Sequence, residues 1–313
     1  MDGGKAMTRM LLPLLRILPL MMLALAPPLR AAPIDCGIGA PGLTQRVVIG
    51  ATGRALLLHR PTGVGSDRPA PLLFLFHGSG GEGASILKRS GLEDTADRHG
   101  FIVAAPDAGI PQGTGFVWNI PGVPSTGGRM PQPGDANDVA FVGQAIDWLA
   151  GRHCIDRSRV YATGLSGGGR MASWLGCVAA DRFAAIAPVV GLRAGRPGSA
   201  DPSKPDPATC RPSRPMPIIA FAGDKDTTNP IEGGGAPYWQ YPMAAAEARW
   251  AALNGCTTKG VNLLATAGVV EEYHRHCRAN ADVLARIKIG GTHDWVADNE
   301  AMWAFLSKYR RAD

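Results

Sequence analysis

The chain has 313 residues, 45% hydrophobic and 19% charged. That is an ordinary globular composition with enough apolar material for a sizeable core, and it excludes a disordered chain. The formal net charge of +6 is modest and no Lys/Arg cluster that would neutralise several phosphates is present, which excludes nucleic acid as a partner.

The first element is an export signal. Lys5, Arg9 and Arg16 precede or interrupt an apolar run from Leu11 to Ala26, and Pro27 to Pro33 supplies a small-residue exit, so residues 1–32 are expected to be cleaved. The run is too short for a membrane anchor and is broken by Pro13, Arg16 and Pro19. Cleavage takes away four basic residues and one acid, so the net charge falls from +6 to +3. The expected mature part, residues 33–313, is one secreted domain. It keeps all six cysteines, Cys36, Cys154, Cys177, Cys210, Cys256 and Cys277, an even count suited to an oxidising compartment. No Cys-x-x-Cys pair exists, against zinc or thioredoxin-like chemistry. Cys256 and Cys277 flank a short strand-like excursion, and Cys177 and Cys210 flank the strand after the central helix; these are the preferred bridges, and Cys36 with Cys154 then follows by elimination.

Gln45–Ile49 and Arg54–His59 read as an antiparallel hairpin. Pro71–Phe76 is a continuous apolar run of strand length, the mark of a strand covered on both faces. It ends in His77-Gly78-Ser79-Gly80-Gly81, and Ala84 to His99 reads as one helix. Phe101–Ala105 is the next buried strand. Residues 107–134 form a long Gly/Pro-rich loop holding Trp118 and Asn119; loops of that length are usually functional rims or disordered, and the tryptophan favours a rim. Asp135–Leu149 is an amphipathic helix with acidic N-terminal caps.

A strand over 159–163 then runs into Gly164-Leu165-Ser166-Gly167-Gly168 and leaves as a helix through Met171, Trp174, Leu175 and Val178. Strand, tight turn and helix around Gly-x-Ser-x-Gly expose the serine hydroxyl above a sheet edge, with glycines letting strand and helix approach closely. Strands follow at Phe183–Val190, Met216–Ala222, near Val261–Glu271 and at Val283–Ile289, with helices around Met243–Leu253 and Asn299–Tyr309. Alternating strands and helices, with apolar strands, predict an α/β fold: one domain with a mostly parallel central sheet and helices on both faces. Ligands in such sheets bind beyond the carboxyl ends of the strands.

Three residues fall there: Ser166, a carboxylate in Gly223-Asp224-Lys225-Asp226, and His293 in Gly290-Gly291-Thr292-His293. The order nucleophile, acid, histidine is that of an α/β-hydrolase. A serine hydroxyl needs a neutral imidazole to take its proton, and the imidazole needs a carboxylate to orient it. Asp224 and Asp226 share one turn, and spacing separates them weakly. The oxyanion needs backbone N–H donors; Gly167 supplies one and Ser79 the other, with Gly80 as its alternative. His77 shapes that loop. No metal or organic cofactor is called for.

Tyr161–Ala172 together with Asp181–Pro188 resembles the secreted polyhydroxybutyrate depolymerase-like esterases, a group that intergrades with feruloyl and acetylxylan esterases. The similarity runs from about Cys36 to the C-terminus. Asn254-Gly255-Cys256, Cys277 and Ile289–Trp295 match the family's paired cysteines and its histidine turn, and Asp138–Phe141 and Trp118-Asn119 match its helix start and aromatic loop. The family's acid motif selects Asp226. The chain departs from the pattern at Ala222, Thr292 and Val296, around the leaving-group side. The resemblance implies an acyl-enzyme mechanism on carboxylic esters with Ser166, Asp226 and His293 catalytic, Ser79 and Gly167 at the oxyanion, and Trp118, Asn119 and Trp295 at the substrate rim. Hydroxyalkanoate oligomers or polymer rank first as substrate and feruloyl or acetyl esters of plant polysaccharide second. A peptidase with the same elbow and a non-catalytic binding protein on a hydrolase scaffold are the more distant readings.

Overall fold

The structure, a computed structural model, describes residues 1–4, 40–63, 68–264 and 267–311. The expected export signal and Cys36, with its pairing to Cys154, lie outside the described residues. The chain divides into units 1–33 and 34–313, and everything below concerns the second.

Seven consecutive buried residues form β3 (Ala70–Phe76). Their side chains alternate between two cores: Leu72, Phe74 and Phe76 face one, Leu73 and Leu75 the other. That two-sided burial is why the run reads as unbroken apolar sequence. Around it stand β1 (Leu43–Val48), β2 (Ala55–Arg60), β4 (Ile102–Pro106), β7 (Ile155–Leu165), β8 (Ala185–Val189), β9 (Ile218–Gly223), β10 (Thr258–Leu264), β11 (Val269–Arg275) and β12 (Val283–Lys288). The ten-stranded sheet has the order β1-β2-β4-β3-β7-β8-β9-β12-β11-β10. Its middle is parallel from β4 to β12, and an antiparallel hairpin closes each edge. Helices α3 (Asp138–Arg152), α4 (Gly167–Val178) and α5 (Met243–Asn254) contribute Val142, Ile146, Met171, Leu175 and Trp250 to the first core. Helices α1 (Gly83–Ser90), α2 (Leu92–His99) and α6 (Asn299–Leu306) contribute Ile86, Leu92, Trp303 and Leu306 to the second. The fold is the α/β architecture that the alternation of elements predicts.

Three details differ from the sequence expectation. The helix expected over 84–99 is two helices, because Gly91 turns left-handed (φ 62°) and caps the first of them through its N–H to the Leu87 carbonyl. The stretch expected as one strand near 261–271 is split into β10 and β11, an antiparallel hairpin. The long loop after β4 carries a small hairpin of its own, β5 (Ile110–Gln112) and β6 (Gly115–Val117). Two disulfides among the described residues, Cys177–Cys210 and Cys256–Cys277, pin the loop after β8 and the turn after β11; bridges of this kind typically stabilise by about 2–4 kcal/mol.

Candidate active site

Strand β7 runs into Ser166 and α4 begins at the next residue. Ser166 sits at φ 55°, ψ −110°, a region that L residues rarely occupy. Its own N–H donates to the Val189 carbonyl of the neighbouring strand at 2.9 Å, and its carbonyl accepts from Arg170 N–H at 2.9 Å. The turn can be this tight because glycines remove the obstructing Cβ atoms. A Cβ at Gly164 would lie 2.6 Å from the Phe76 carbonyl oxygen and 2.7 Å from the Gly168 carbonyl carbon, and one at Gly168 would overlap the Phe76 carbonyl. Ser166 is 8% exposed.

The loop after β3 lies against this turn. A Cβ at Gly167 would lie 3.0 Å from Ser79 N, so these two backbone amides are neighbours. Among the described residues neither N–H donates to a protein acceptor. Gly167 opens a 12-residue helix, where free amides and the helix dipole favour negative charge. His77 builds the loop: Ala108 N–H donates to its Nε2 at 2.9 Å, so Nδ1 carries the proton and donates to the Gly78 carbonyl at 2.7 Å. Burial lowers the pKa of this ring and outweighs the opposing bond to Gly78.

The acid and the histidine come from adjacent parallel strands. Gly223 of β9 stands level with Lys288 of β12, and the turns that follow bring Asp226 Oδ2 and His293 Nδ1 to 2.8 Å. Asp226 is 4% exposed, and its Oδ1 accepts from the N–H groups of Thr228 and Asn229, both at 2.8 Å. Burial opposes ionisation of this carboxyl; the bonds from His293, Asn229 and Thr228 prevail and hold its pKa below the ordinary value. Asp224 points elsewhere and accepts from Gly290 N–H at 2.6 Å. Ser166, Asp226 and His293 follow β7, β9 and β12 at the carboxyl ends of parallel strands, the place where such sheets carry chemistry. With Asp226 on Nδ1, the free Nε2 of His293 is the nitrogen able to take a proton.

The long loop buttresses the site more than it rims it. Gly80 N–H donates to the Phe116 carbonyl at 2.8 Å and Phe116 N–H to the Gly81 carbonyl at 3.1 Å, so β6 is stitched to the loop that carries Ser79. Trp118 is 6% exposed, and its indole N–H donates to the His77 carbonyl at 2.8 Å. It walls a hollow beside Ser79 and Gly167 instead of standing on an open rim. Asn119 donates from its backbone N–H to Asp138 Oδ2 at 2.7 Å and from its side chain to the Ala136 carbonyl at 2.9 Å. Trp295 is half-buried and tied to Asn299 Oδ1 at 2.9 Å. The spacing of the motifs gave Asp138 no role, yet it is fully buried and gathers Arg54 (2.6 Å), Gly109 N–H (3.0 Å) and Asn119 N–H. Burial pushes its carboxyl up, against the pull of those donors. Among the described residues no group of three or more His, Cys, Asp or Glu is placed to hold a metal ion.

Comparison with solved structures settles the fold. Acetyl xylan esterase from Aspergillus awamori superposes over 85% of this chain and 99% of its own, with a TM-score of 0.59 and 14% identity. The chain has the α/β-hydrolase fold. The sequence model of the prolyl oligopeptidase family matches residues 94–194 of this chain, a span that holds Ser166 but neither Asp226 nor His293. Feruloyl esterase B of Piromyces equi is 31% identical over 265 residues, 82% of this chain and 45% of that protein. Poly(3-hydroxyalkanoate) depolymerase C of Paucimonas lemoignei is 30% identical over 166 residues, 51% of this chain and 38% of that protein. The chain thus spans less than half the length of these two curated relatives.

Proposed function

We propose that this α/β-hydrolase is a secreted serine esterase. The observation that carries the reading is the strained Ser166 at the start of α4, on the same end of the sheet as the Asp226–His293 pair. In the mechanism that follows, His293 Nε2 takes the Ser166 proton as the hydroxyl attacks an ester carbonyl. The oxyanion is met by the amides of Gly167 and Ser79, whose loss typically costs about 10²–10³ in rate. The alkoxide leaves with the proton from His293, and water then hydrolyses the acyl-enzyme by the same relay. Asp226 holds the ring tautomer and stabilises the imidazolium.

Hydroxyalkanoate esters are the preferred substrate class, supported by the sequence pattern around Ser166 and by the depolymerase relative. The feruloyl esterase relative supports aryl esters as the second reading. Secretion is supported by the two disulfides, which persist in oxidising compartments. The test is hydrolysis of p-nitrophenyl butyrate, a hydroxybutyrate trimer and methyl ferulate by the wild type and by Ser166→Ala. The substitution is expected to lower every ester activity by about 10⁴-fold or more while circular dichroism is unchanged. Undiminished turnover in the variant removes Ser166 from the mechanism.

A further inference from the structure

Arg170 of α4 and Arg193 of the loop after β8 are 5% and 7% exposed. Among the described residues neither forms an ion pair. Arg170 donates through Nη2 to Ser79 Oγ at 3.1 Å, and Arg193 through Nη1 to the Tyr241 carbonyl at 2.5 Å. Each guanidinium lies on aromatic faces, Arg170 over Tyr238 at 4.4 Å and Arg193 over Trp239 at 3.1 Å and Tyr241 at 4.4 Å. Donors remain over: Nε of Arg170, and both Nε and Nη2 of Arg193, are buried with no acceptor. Burial pulls both groups down to about 10, and Arg170 adds like-charge repulsion to Arg193. Both therefore stay cationic near neutral pH.

Buried donors left without acceptors make this arrangement unfavourable by itself. Desolvated charges are ordinarily paired, and a purely packing role at such positions is served at lower cost by an apolar side chain. The two arginines line one narrow pocket, walled by Ile120, Val123, Trp174 and Tyr238. A second hollow shares Ile120, Val123 and Arg170 with it and continues to Ser79 and Gly167. The cationic pocket thus adjoins, through Ile120, Val123 and Arg170, the hollow beside Ser79 and Gly167, where the esterase reading puts the scissile carbonyl.

We propose that Arg170 and Arg193 form a carboxylate subsite, and that the esters this protein cleaves best carry a free carboxylate a short chain away from the scissile carbonyl. The inference rests on the esterase reading above and narrows its substrate class. Planar guanidinium groups match a carboxylate through paired N–H donors, and low local polarity strengthens those bonds. The carboxylate has two possible locations, the acyl part, as in half-esters of dicarboxylic acids, or the alcohol part, as at the end of a hydroxy-acid oligomer.

The experiment compares kcat/KM on matched pairs. Mono-p-nitrophenyl glutarate against p-nitrophenyl pentanoate tests the acyl position, and 3-butyryloxybutyrate against its methyl ester tests the alcohol position. In the wild type at least one anionic ester is expected to exceed its neutral partner by about tenfold or more. That ratio collapses in Arg193→Met and is partly kept in Arg193→Lys. Neutral esters matching or exceeding the anionic ones in both pairs overturn the proposal. A thermal-shift titration separates it from the esterase reading: glutarate raises the Tm of the wild type, dimethyl glutarate does not, and Arg193→Met abolishes the shift. A glutarate shift without hydrolysis of any ester would sink the esterase reading and keep the anion site. Ester hydrolysis with no anion preference and no shift would do the reverse. Should Arg193→Met fail to fold, the wild-type ratios and the wild-type shift still decide.

Discussion

The turn around Ser166 and the pocket around Arg193 lie side by side and are specified in opposite ways. The turn is made of backbone: glycines that pass within touching distance of Phe76, a strained serine, and amides at a helix start. The pocket is made of side chains from four separate stretches: Ile120 and Val123 in the long loop, Arg170 and Trp174 in α4, Arg193 after β8, and Tyr238 after β9. A device of the first kind tolerates almost no substitution, whereas one of the second kind can be retuned residue by residue. On the proposed reading, chemistry resides in the rigid part and selectivity in the adjustable part, as expected when loops decorate a fixed scaffold.

That contrast can be broken most sharply at the acid turn. Asp226→Asn is expected to lower kcat by about 10³–10⁴-fold, because the amide no longer stabilises the imidazolium or the productive ring tautomer. Asp224→Asn, whose carboxylate only braces Gly290 N–H, should change kcat by less than about tenfold. A larger loss from Asp224→Asn would reassign the acid. Next in size is Gly168→Ala. The added methyl overlaps the Phe76 carbonyl and should destabilise by about 1–3 kcal/mol, read as a lower denaturant midpoint; an unchanged midpoint would show that the turn can relax.

The smallest effect is on pH. His77 is held neutral with its pKa below the ordinary 6.5. The unfolded chain therefore takes up the proton first as pH falls. The stability this ring contributes is complete above about 6.5 and declines as pH drops through its folded pKa. Urea midpoints between pH 7.5 and 5 should fall more steeply in the wild type than in His77→Gln. Parallel slopes would count against His77.

Much of the fold was legible because its signals are local. Buried strands such as Ala70–Phe76 read directly from composition, and the elbow from five residues. The break at Gly91 was hidden because a single glycine inside a helical pattern is tolerated as readily as it ends one, and only the fold shows its left-handed φ. The hairpin β5–β6 was hidden by Pro111 within a three-residue strand, a residue that argues against strand by propensity. At the site, Ser166, Asp226 and His293 announce themselves by standing after strand ends. Arg170 and Arg193 do not, because their convergence is a property of the folded chain and no short-range spacing encodes it. Trp118 was legible as important but not as buried, since nothing in sequence reveals that its N–H meets the His77 carbonyl.

The Cys177–Cys210 bridge joins the far end of α4 to the loop that carries Arg193. The elbow at the near end of the same helix is closed by the approach of its glycines to the Phe76 carbonyl. In a reducing environment the domain as a whole loses about 2–4 kcal/mol, and the loop that carries Arg193 loses its covalent tie to α4.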